Sequence, residues 1–314
     1  MVDTVVLRMA FFGTPDFAVP TLRALLNSRH RVIGVVSQPD RPRGRGGVVT
    51  PTPVKAIAAA AGIPVLQPDR LKDPAFRDAF ARWAPDLAVV AAYGKILPEW
   101  LIAVPRLGMI NVHASLLPRY RGAAPIQRAV LAGETETGVT IMRIVKELDA
   151  GPMFARVTRP ILPDATSADV ERDLADAGGA LLVTVVDDIA AGRAHETPQD
   201  DGLATYAPKI TKEEGAIDWS RSAWEIHNQV RGLIPWPIAW THVHGARVQI
   251  IRTAPDEHGS GTPGEVAEAA GDVLRVATGR GALRLLMVKP EGRRAMSARE
   301  FLAGHAVAPG VRLT

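Results

Sequence analysis

Val5-Val6-Leu7-Arg8-Met9-Ala10-Phe11-Phe12-Gly13-Thr14-Pro15 opens the chain with an apolar run cut short by a glycine, a hydroxyl residue and a proline. Val5–Phe12 reads as a strand, because β-branched and aromatic side chains suit a pleated surface. Gly13-Thr14-Pro15 reads as a turn into a helix over Phe17–Leu26, with Thr14 as N-cap and Pro15 as first helical residue. The same alternation continues outward. Strands are predicted at Arg31–Ser37, Leu87–Ala92, Met109–His113 and Val139–Val145. Helices are predicted at Val54–Ala61, Pro74–Trp83, Pro125–Leu131 and Thr166–Ala191, the last weakened in its middle by Gly178-Gly179. This pattern predicts an α/β class, a doubly wound, Rossmann-like and mostly parallel sheet. Ligands of such sheets sit beyond the carboxyl ends of the strands. Those ends are Gly13, Pro39-Asp40, Tyr93-Gly94 and His113.

The pattern changes after Gly192. Residues 193–208 are polar and contain Pro198, Gly202 and Pro208, so they read as a linker. Ser222-Ala-Trp-Glu225 has the spacing of a capping box for a helix to about Val230. Short β-rich runs follow at Ala239–Val243, Arg247–Thr253, Val266–Ala269, Val273–Ala277 and Leu283–Val288. They predict a small OB-like β-barrel domain. The expected division is 1–192, a linker at 193–208, and 209–314.

The 314 residues are long enough for two domains with their own cores. The absence of cysteine rules out disulfides, thiolate metal sites and cysteine nucleophiles, and suits a reducing cytoplasm. The first residues lack the basic and apolar regions of a secretory signal. No apolar run approaches the ~18 residues of a membrane span. Residues 206–314 carry 14 Lys and Arg against 11 Asp and Glu, most of the net charge of +4. A polyanionic partner for the second half is compatible with that balance.

Asn111-Val112-His113-Ala114-Ser115-Leu116-Leu117-Pro118 carries the chemistry. Asn111 and His113 are two apart, which on a strand points both side chains to one face. An amide and an imidazolium can both donate to a developing oxyanion. A carboxylate from Asp149, in Asp149-Ala150-Gly151, would orient and charge the histidine and relay a proton. No metal or covalent nucleophile is needed.

Gly13-Thr14-Pro15-Asp16-Phe17 lacks the later glycines of a dinucleotide fingerprint, and no Walker A sequence occurs. NAD and nucleoside triphosphates are therefore not expected. Pro39-Asp40-Arg41-Pro42-Arg43-Gly44-Arg45-Gly46-Gly47 reads as an irregular, exposed basic loop suited to phosphate contacts. Ala92-Tyr93-Gly94-Lys95-Ile96-Leu97-Pro98 is a candidate apolar wall for a ligand. His242 and His244 share one strand face without a third ligand at suitable spacing, so they read as solvated. Trp236 and Trp240 read as small-domain core.

Together these stretches resemble the folate-dependent formyltransferases over essentially the whole length. Arg121-Gly-Ala-Ala-Pro-Ile-Gln127, Glu136-Thr-Gly-Val-Thr-Ile-Met142, Tyr206-Ala-Pro-Lys-Ile210, Val230-Arg-Gly232 and Pro235-Trp-Pro237 extend the match. Ile234 and Ile238 depart from it, standing where Asn and a small residue are expected. The resemblance implies a formyl donor, 10-formyltetrahydrofolate, contacted by Ser115, Leu116, Leu117 and Pro118. It implies Asn111, His113 and Asp149 as catalytic residues. The basic loop and the C-terminal half narrow the implied acceptor to the α-amino group of methionine on initiator methionyl-tRNA, held by Arg41, Arg43, Arg45 and Lys209. A monomeric cytoplasmic enzyme of translation initiation follows. The alternatives are a formyltransferase for a small amine or amino sugar, a hydrolase of the formyl-folate, and a non-catalytic tRNA-binding relative.

Overall fold

The computed structural model describes residues 5–43 and 48–314. In chain order the elements are β1 (Arg8–Gly13), α1 (Ala18–Leu26), β2 (Arg31–Val36), β3 (Arg41–Arg43), β4 (Val48–Thr50), α2 (Pro53–Ala60), β5 (Val65–Leu66), α3 (Pro74–Trp83) and β6 (Leu87–Ala91). They continue with α4 (Glu99–Ile102), β7 (Met109–His113), β8 (Arg121–Gly122), α5 (Pro125–Leu131), β9 (Glu136–Arg143), β10 (Met153–Pro160), α6 (Ser167–Ala190) and β11 (Tyr206–Ala207). The last are α7 (Ala223–Gly232), β12 (Trp240–Val243), β13 (Ala246–Asp256), β14 (Val266–Ala270), β15 (Val273–Ala277), β16 (Ala282–Pro290), β17 (Met296–Ser297) and α8 (Ala298–Gly304).

The chain forms two compact units, neither a continuous stretch. The first gathers the chain up to Gly122 with Glu136–Pro160 and Glu171–Tyr206. The second gathers Ala123–Thr135, Ile161–Val170 and Ala207–Thr314. A boundary at 192 therefore does not describe the packing. Helix α5 belongs with the C-terminal elements, because Ala124, Leu131, Ile210 and Leu233 share a small core. Arg128 on α5 also donates to Glu214 at 2.5 and 3.0 Å. Most of the expected linker is likewise built into the first unit. Thr197 pairs with Met153 through both backbone hydrogen bonds, at 2.8 and 2.9 Å.

In the first unit a seven-stranded sheet runs β10-β9-β7-β6-β1-β2-β5. Strands β5, β2, β1, β6 and β7 are parallel; β9 and β10 add on antiparallel. The chain leaves β1 toward β2 and β5, then returns to β6 on the other side. The crevice outside β1 and β6 is the switch point where such sheets take ligands. Thr14 is not a helix cap, since α1 starts at Ala18 without a side-chain cap. Its hydroxyl instead ties three strand ends together, donating to the Tyr93 carbonyl at 3.2 Å and accepting from the Gln38 N–H at 3.3 Å.

Phe12, Phe80 and Tyr93 meet edge to face at 5.3 and 5.4 Å in the main core of this unit. Helix α6 is continuous through Gly178-Gly179. A Cβ at Gly178 would stand 2.9 Å from Val112, and one at Gly179 3.1 Å from the Pro20 carbonyl. The pair lets α6 lie close against β7 and α1, which offsets its poor helix propensity.

The second unit holds the small antiparallel β domain expected of it, in the order β12-β13-β16-β15-β14 with β17 beside β16. Among the described residues β12 and β14 do not pair with each other. The C-terminal segment pairs with both, Val311 and Leu313 with Val266 and Gly264, and Thr314 with His242, so the curled sheet is a half-barrel bridged by the tail. Helices α7 and α8 each begin with a complete capping box, from Ser222 with Glu225 and Ser297 with Glu300. The Ser222 hydroxyl and N–H hold the Glu225 carboxyl down to about 2. A depressed carboxyl contributes stability that is present above its unfolded value near 4.5 and lost as pH falls toward 2. Ser222→Ala is expected to cost about 1 kcal/mol near pH 7 and to flatten the loss of stability across that acid window. Urea unfolding across pH checks both, and unchanged midpoints would contradict them.

Candidate active site

Asn111 and His113 alternate with Val112 on β7. Val112 points toward Gly178 of α6, so its two neighbours leave the sheet on the opposite face. Pairing fixes their height: Val90 of β6 stands beside Asn111, and Thr140 of β9 beside His113. Asn111 is partly exposed. Its amide makes no hydrogen bond among the described residues, so it is free to donate to a ligand.

His113 Nε2 lies 3.0 Å from the Tyr120 carbonyl oxygen. A carbonyl only accepts, so Nε2 carries the hydrogen and donates it. Nδ1 faces Asp149 Oδ2 across 3.7 Å. That gap is too long for a hydrogen bond but close enough for strong attraction between charges. The two side chains are only 6% and 15% exposed, so water screens the pair weakly. The expected direct grip of Asp149 on His113 is thus replaced by the Tyr120 carbonyl, and Asp149 acts across a gap. The Gly122 N–H, donating to Asp149 Oδ2 at 2.9 Å, holds the carboxylate at that distance.

Asp149 has φ +49°, in the left-handed region. That conformation costs a non-glycine residue about 1–2 kcal/mol and persists only where its surroundings impose it. Gln199 Nε2 donates to the carbonyls of Asp149 and Gly151, at 2.8 and 2.7 Å. A Cβ at Gly151 would stand 2.0 Å from the Arg143 carbonyl oxygen, so only glycine fits there.

The Ser115–Pro118 segment divides. The Ser115 hydroxyl is buried and donates to the Arg119 carbonyl at 2.7 Å. Leu117 is buried with Met142 and Met153. Leu116 and Pro118 keep partial exposure. The side chains of Ser115 and Leu117 are thus turned inward, and their backbone is engaged too. The Ser115 carbonyl accepts from the Thr140 hydroxyl, which in turn accepts from the Leu117 N–H, and the Leu117 carbonyl accepts from Arg156. Tyr93 is also not an exposed wall. It is core, and burial pushes its phenol up to about 12. Ile96 beside it is 86% exposed.

The expected irregular basic loop is partly regular, since β3 pairs with β4. Asp40 anchors its start. The Lys55 ammonium and the Gln67 amide both donate to that carboxylate and hold it below the usual range. Arg41 is exposed. The Arg43 side chain and all of Arg45 lie outside the described residues. Lys209 is exposed in the second unit. Trp236 is 48% exposed rather than core. Trp240 is partly covered by Arg247, 4.3 Å above its ring. His242 stands edge-on to Trp240, and His244 Nε2 bonds the Ala306 carbonyl at 2.9 Å.

Tyr120, Gly122 and Gln199, which hydrogen-bond the candidate residues, are the ones that sequence reasoning missed. Tyr120 and Gly122 act through backbone atoms, which leave no side-chain signature. Gln199 lies in a polar stretch with the composition of a linker.

Two family profiles match the chain. Residues 7–186 match the one described as formyl transferase, and residues 209–306 the one described as formyl transferase, C-terminal domain. A protein of Methylococcus capsulatus named methionyl-tRNA formyltransferase is 48% identical over 312 residues, covering 98% of this chain and 99% of its own. One of the same name from Thermus thermophilus is 48% identical over 308 residues, covering 98% and 99%. An N-formyltransferase structure from Helicobacter canadensis, in complex with folinic acid and dTDP-3-aminofucose, superposes with TM-score 0.69 at 17% identity, covering 89% of this chain and 99% of that one. HypX from Aquifex aeolicus in complex with tetrahydrofolic acid gives TM-score 0.65 at 19% identity, covering 95% of this chain and 47% of that one. This chain thus spans about half of HypX. At such identities the two structures speak for the fold alone.

Proposed function

The chain belongs to the formyl transferase family, and from that premise we propose that it formylates the α-amino group of methionine on initiator methionyl-tRNA from 10-formyltetrahydrofolate, as a cytoplasmic monomer. The observation that carries the chemistry is the unpartnered Asn111 amide beside His113, with Asp149 3.7 Å from the imidazole. The close relatives of matching length support the acceptor.

The residues present suit the donor. They offer a free amide donor, a sunken imidazole and carboxylate, and the partly exposed Leu116 and Pro118 at the carboxyl ends of parallel strands. When bound, 10-formyltetrahydrofolate supplies an electrophilic formyl carbon. The Asn111 amide and the Nδ1–H of protonated His113, whose Nε2–H is held by the Tyr120 carbonyl, donate to the formyl oxygen as it gains negative charge while the amine nitrogen adds. Asp149 stabilises the imidazolium across the gap. It accepts the proton that the amine loses and returns one to the departing folate nitrogen, directly or through water. The carbon–nitrogen bond to the donor breaks as the new amide forms, so no net proton is gained.

The test is transfer from 10-formyltetrahydrofolate to methionyl initiator tRNA, set against free methionine and a dTDP-linked amino sugar. Preference for the tRNA is expected, and a preference for either small amine would overturn the acceptor. The basic segment makes a separate prediction. Arg41→Ala combined with Arg43→Ala and Arg45→Ala should raise KM for the tRNA and lower the slope of its salt dependence by about one for each phosphate left without its arginine. KM for the folate should stay unchanged, and an equal rise in both would refute that division of roles. Lys209→Ala is expected to act in the same direction, more weakly.

A further inference from the structure

Gln199 uses its whole hydrogen-bonding capacity at one place. Its Nε2 donates to the Asp149 and Gly151 carbonyls. Its Oε1 accepts from Arg121 Nε at 3.1 Å and from Arg121 Nη2 at 2.8 Å. The amide orientation is settled by these partners, since an arginine cannot accept and a carbonyl cannot donate. Arg121 is buried, and its Nη2 also pairs with Asp201 at 2.7 Å. The next residue, Gly122, supplies the N–H that holds the Asp149 carboxylate. The residue before, Tyr120, supplies the carbonyl that orients His113. Three consecutive residues and one glutamine thus grip both the imidazole and the carboxylate.

We infer that Gln199 is a positioning residue for the reaction. It locks the Asp149-Ala150-Gly151 turn to the Tyr120-Arg121-Gly122 segment, and so sets the Asp149 carboxylate against His113. This rests on the proposed role of Asp149 in handling the proton. Gln199 itself touches neither reacting group. It acts through the backbone of Asp149 on one side and through Arg121 on the other.

The test is a double-mutant cycle in the full-length enzyme, with methionyl initiator tRNA and 10-formyltetrahydrofolate as substrates. Gln199→Met keeps the volume and removes both donors and the acceptor. It should lower kcat about tenfold or more, leave both KM values within about twofold of the original, and displace the acid limb of the kcat–pH profile. Gln199→Glu keeps an acceptor for Arg121 but turns an acceptor on the two carbonyls, so it should fall at least as far as Gln199→Met. Combining Gln199→Met with Asp149→Asn should cost no more than Asp149→Asn alone, because the glutamine works through that carboxylate. Fully additive losses, or a Gln199→Met enzyme with wild-type kcat and pH profile, would overturn the inference. So would a Gln199→Met loss confined to thermal stability. An Asp149→Asn enzyme with full activity would instead overturn the proposed role of Asp149, which is a distinguishable result.

Discussion

His113→Ala is expected to lower kcat for formyl transfer by about 10²–10³-fold at saturating substrates, the usual cost of removing one donor to a developing oxyanion. The loss should fall on kcat rather than on either KM, because the formyl oxygen carries its charge only as the amine adds. Folding should be little affected. The imidazole makes one hydrogen bond, to the Tyr120 carbonyl, and sits within a site rather than in a core cluster. Asn111→Ala should lose less, since a neutral amide donates more weakly than an imidazolium. Single-turnover rates with preloaded tRNA would measure both. A His113→Ala enzyme within a few-fold of wild type would remove the histidine from the mechanism.

The pair Asn111 and His113 was legible because strand periodicity is a rule of covalent geometry. Once Met109–His113 is read as a strand, its shared face follows. The parallel core was legible for a similar reason, since strands buried on both faces are continuously apolar and stand out in sequence. Strand β10 was not. From Ala155 on, its residues alternate between partly exposed and exposed and include Arg156, Arg159 and Pro160, so it reads as polar surface. Its partner β9 makes it a strand. The two-residue strands are likewise set by partners elsewhere in the chain, as β5 is by β2 and β17 by β16.

The site was legible in its side chains and not in its supports. Asp149 could be paired with His113 by chemistry, but the 3.7 Å gap depends on where the Gly122 N–H sits. The polar stretch 193–208 has the composition of a tether, yet Thr197 and Gln199 fasten it beside the Asp149 turn. Composition reports whether a segment can form a core. It does not report whether a fixed partner awaits its side-chain amides. The interleaving of the two units escaped for the same reason. Pro125–Leu131 is an ordinary amphipathic segment, and only its packing with Ile210 and Leu233 shows where it belongs.

Gly151→Ala should have the second large effect, and it tests the geometry of the turn without touching a reacting group. The new methyl would stand 2.0 Å from the Arg143 carbonyl oxygen and 3.0 Å from its carbon. These are backbone atoms and cannot swing aside. Arg143 is itself pinned, its N–H donating to the Pro152 carbonyl at 2.9 Å and its guanidinium to the Leu107 carbonyl at 2.8 Å and to Glu196. The turn must therefore shift, carrying the Asp149 carboxylate with it. Overpacking of this kind costs about 1–3 kcal/mol of stability. A displacement near 1 Å at a reacting group can cost about 10²-fold in rate. Gly192→Ala is the control. It asks an alanine to adopt a positive φ, +67°, a strain that Gly151 does not carry, while nothing lies within 4 Å of its Cβ. It should lose about 1 kcal/mol of stability and keep wild-type kcat. If Gly151→Ala matched Gly192→Ala in both urea midpoint and kcat, the close approach at Gly151 would not be what holds Asp149 in register with His113.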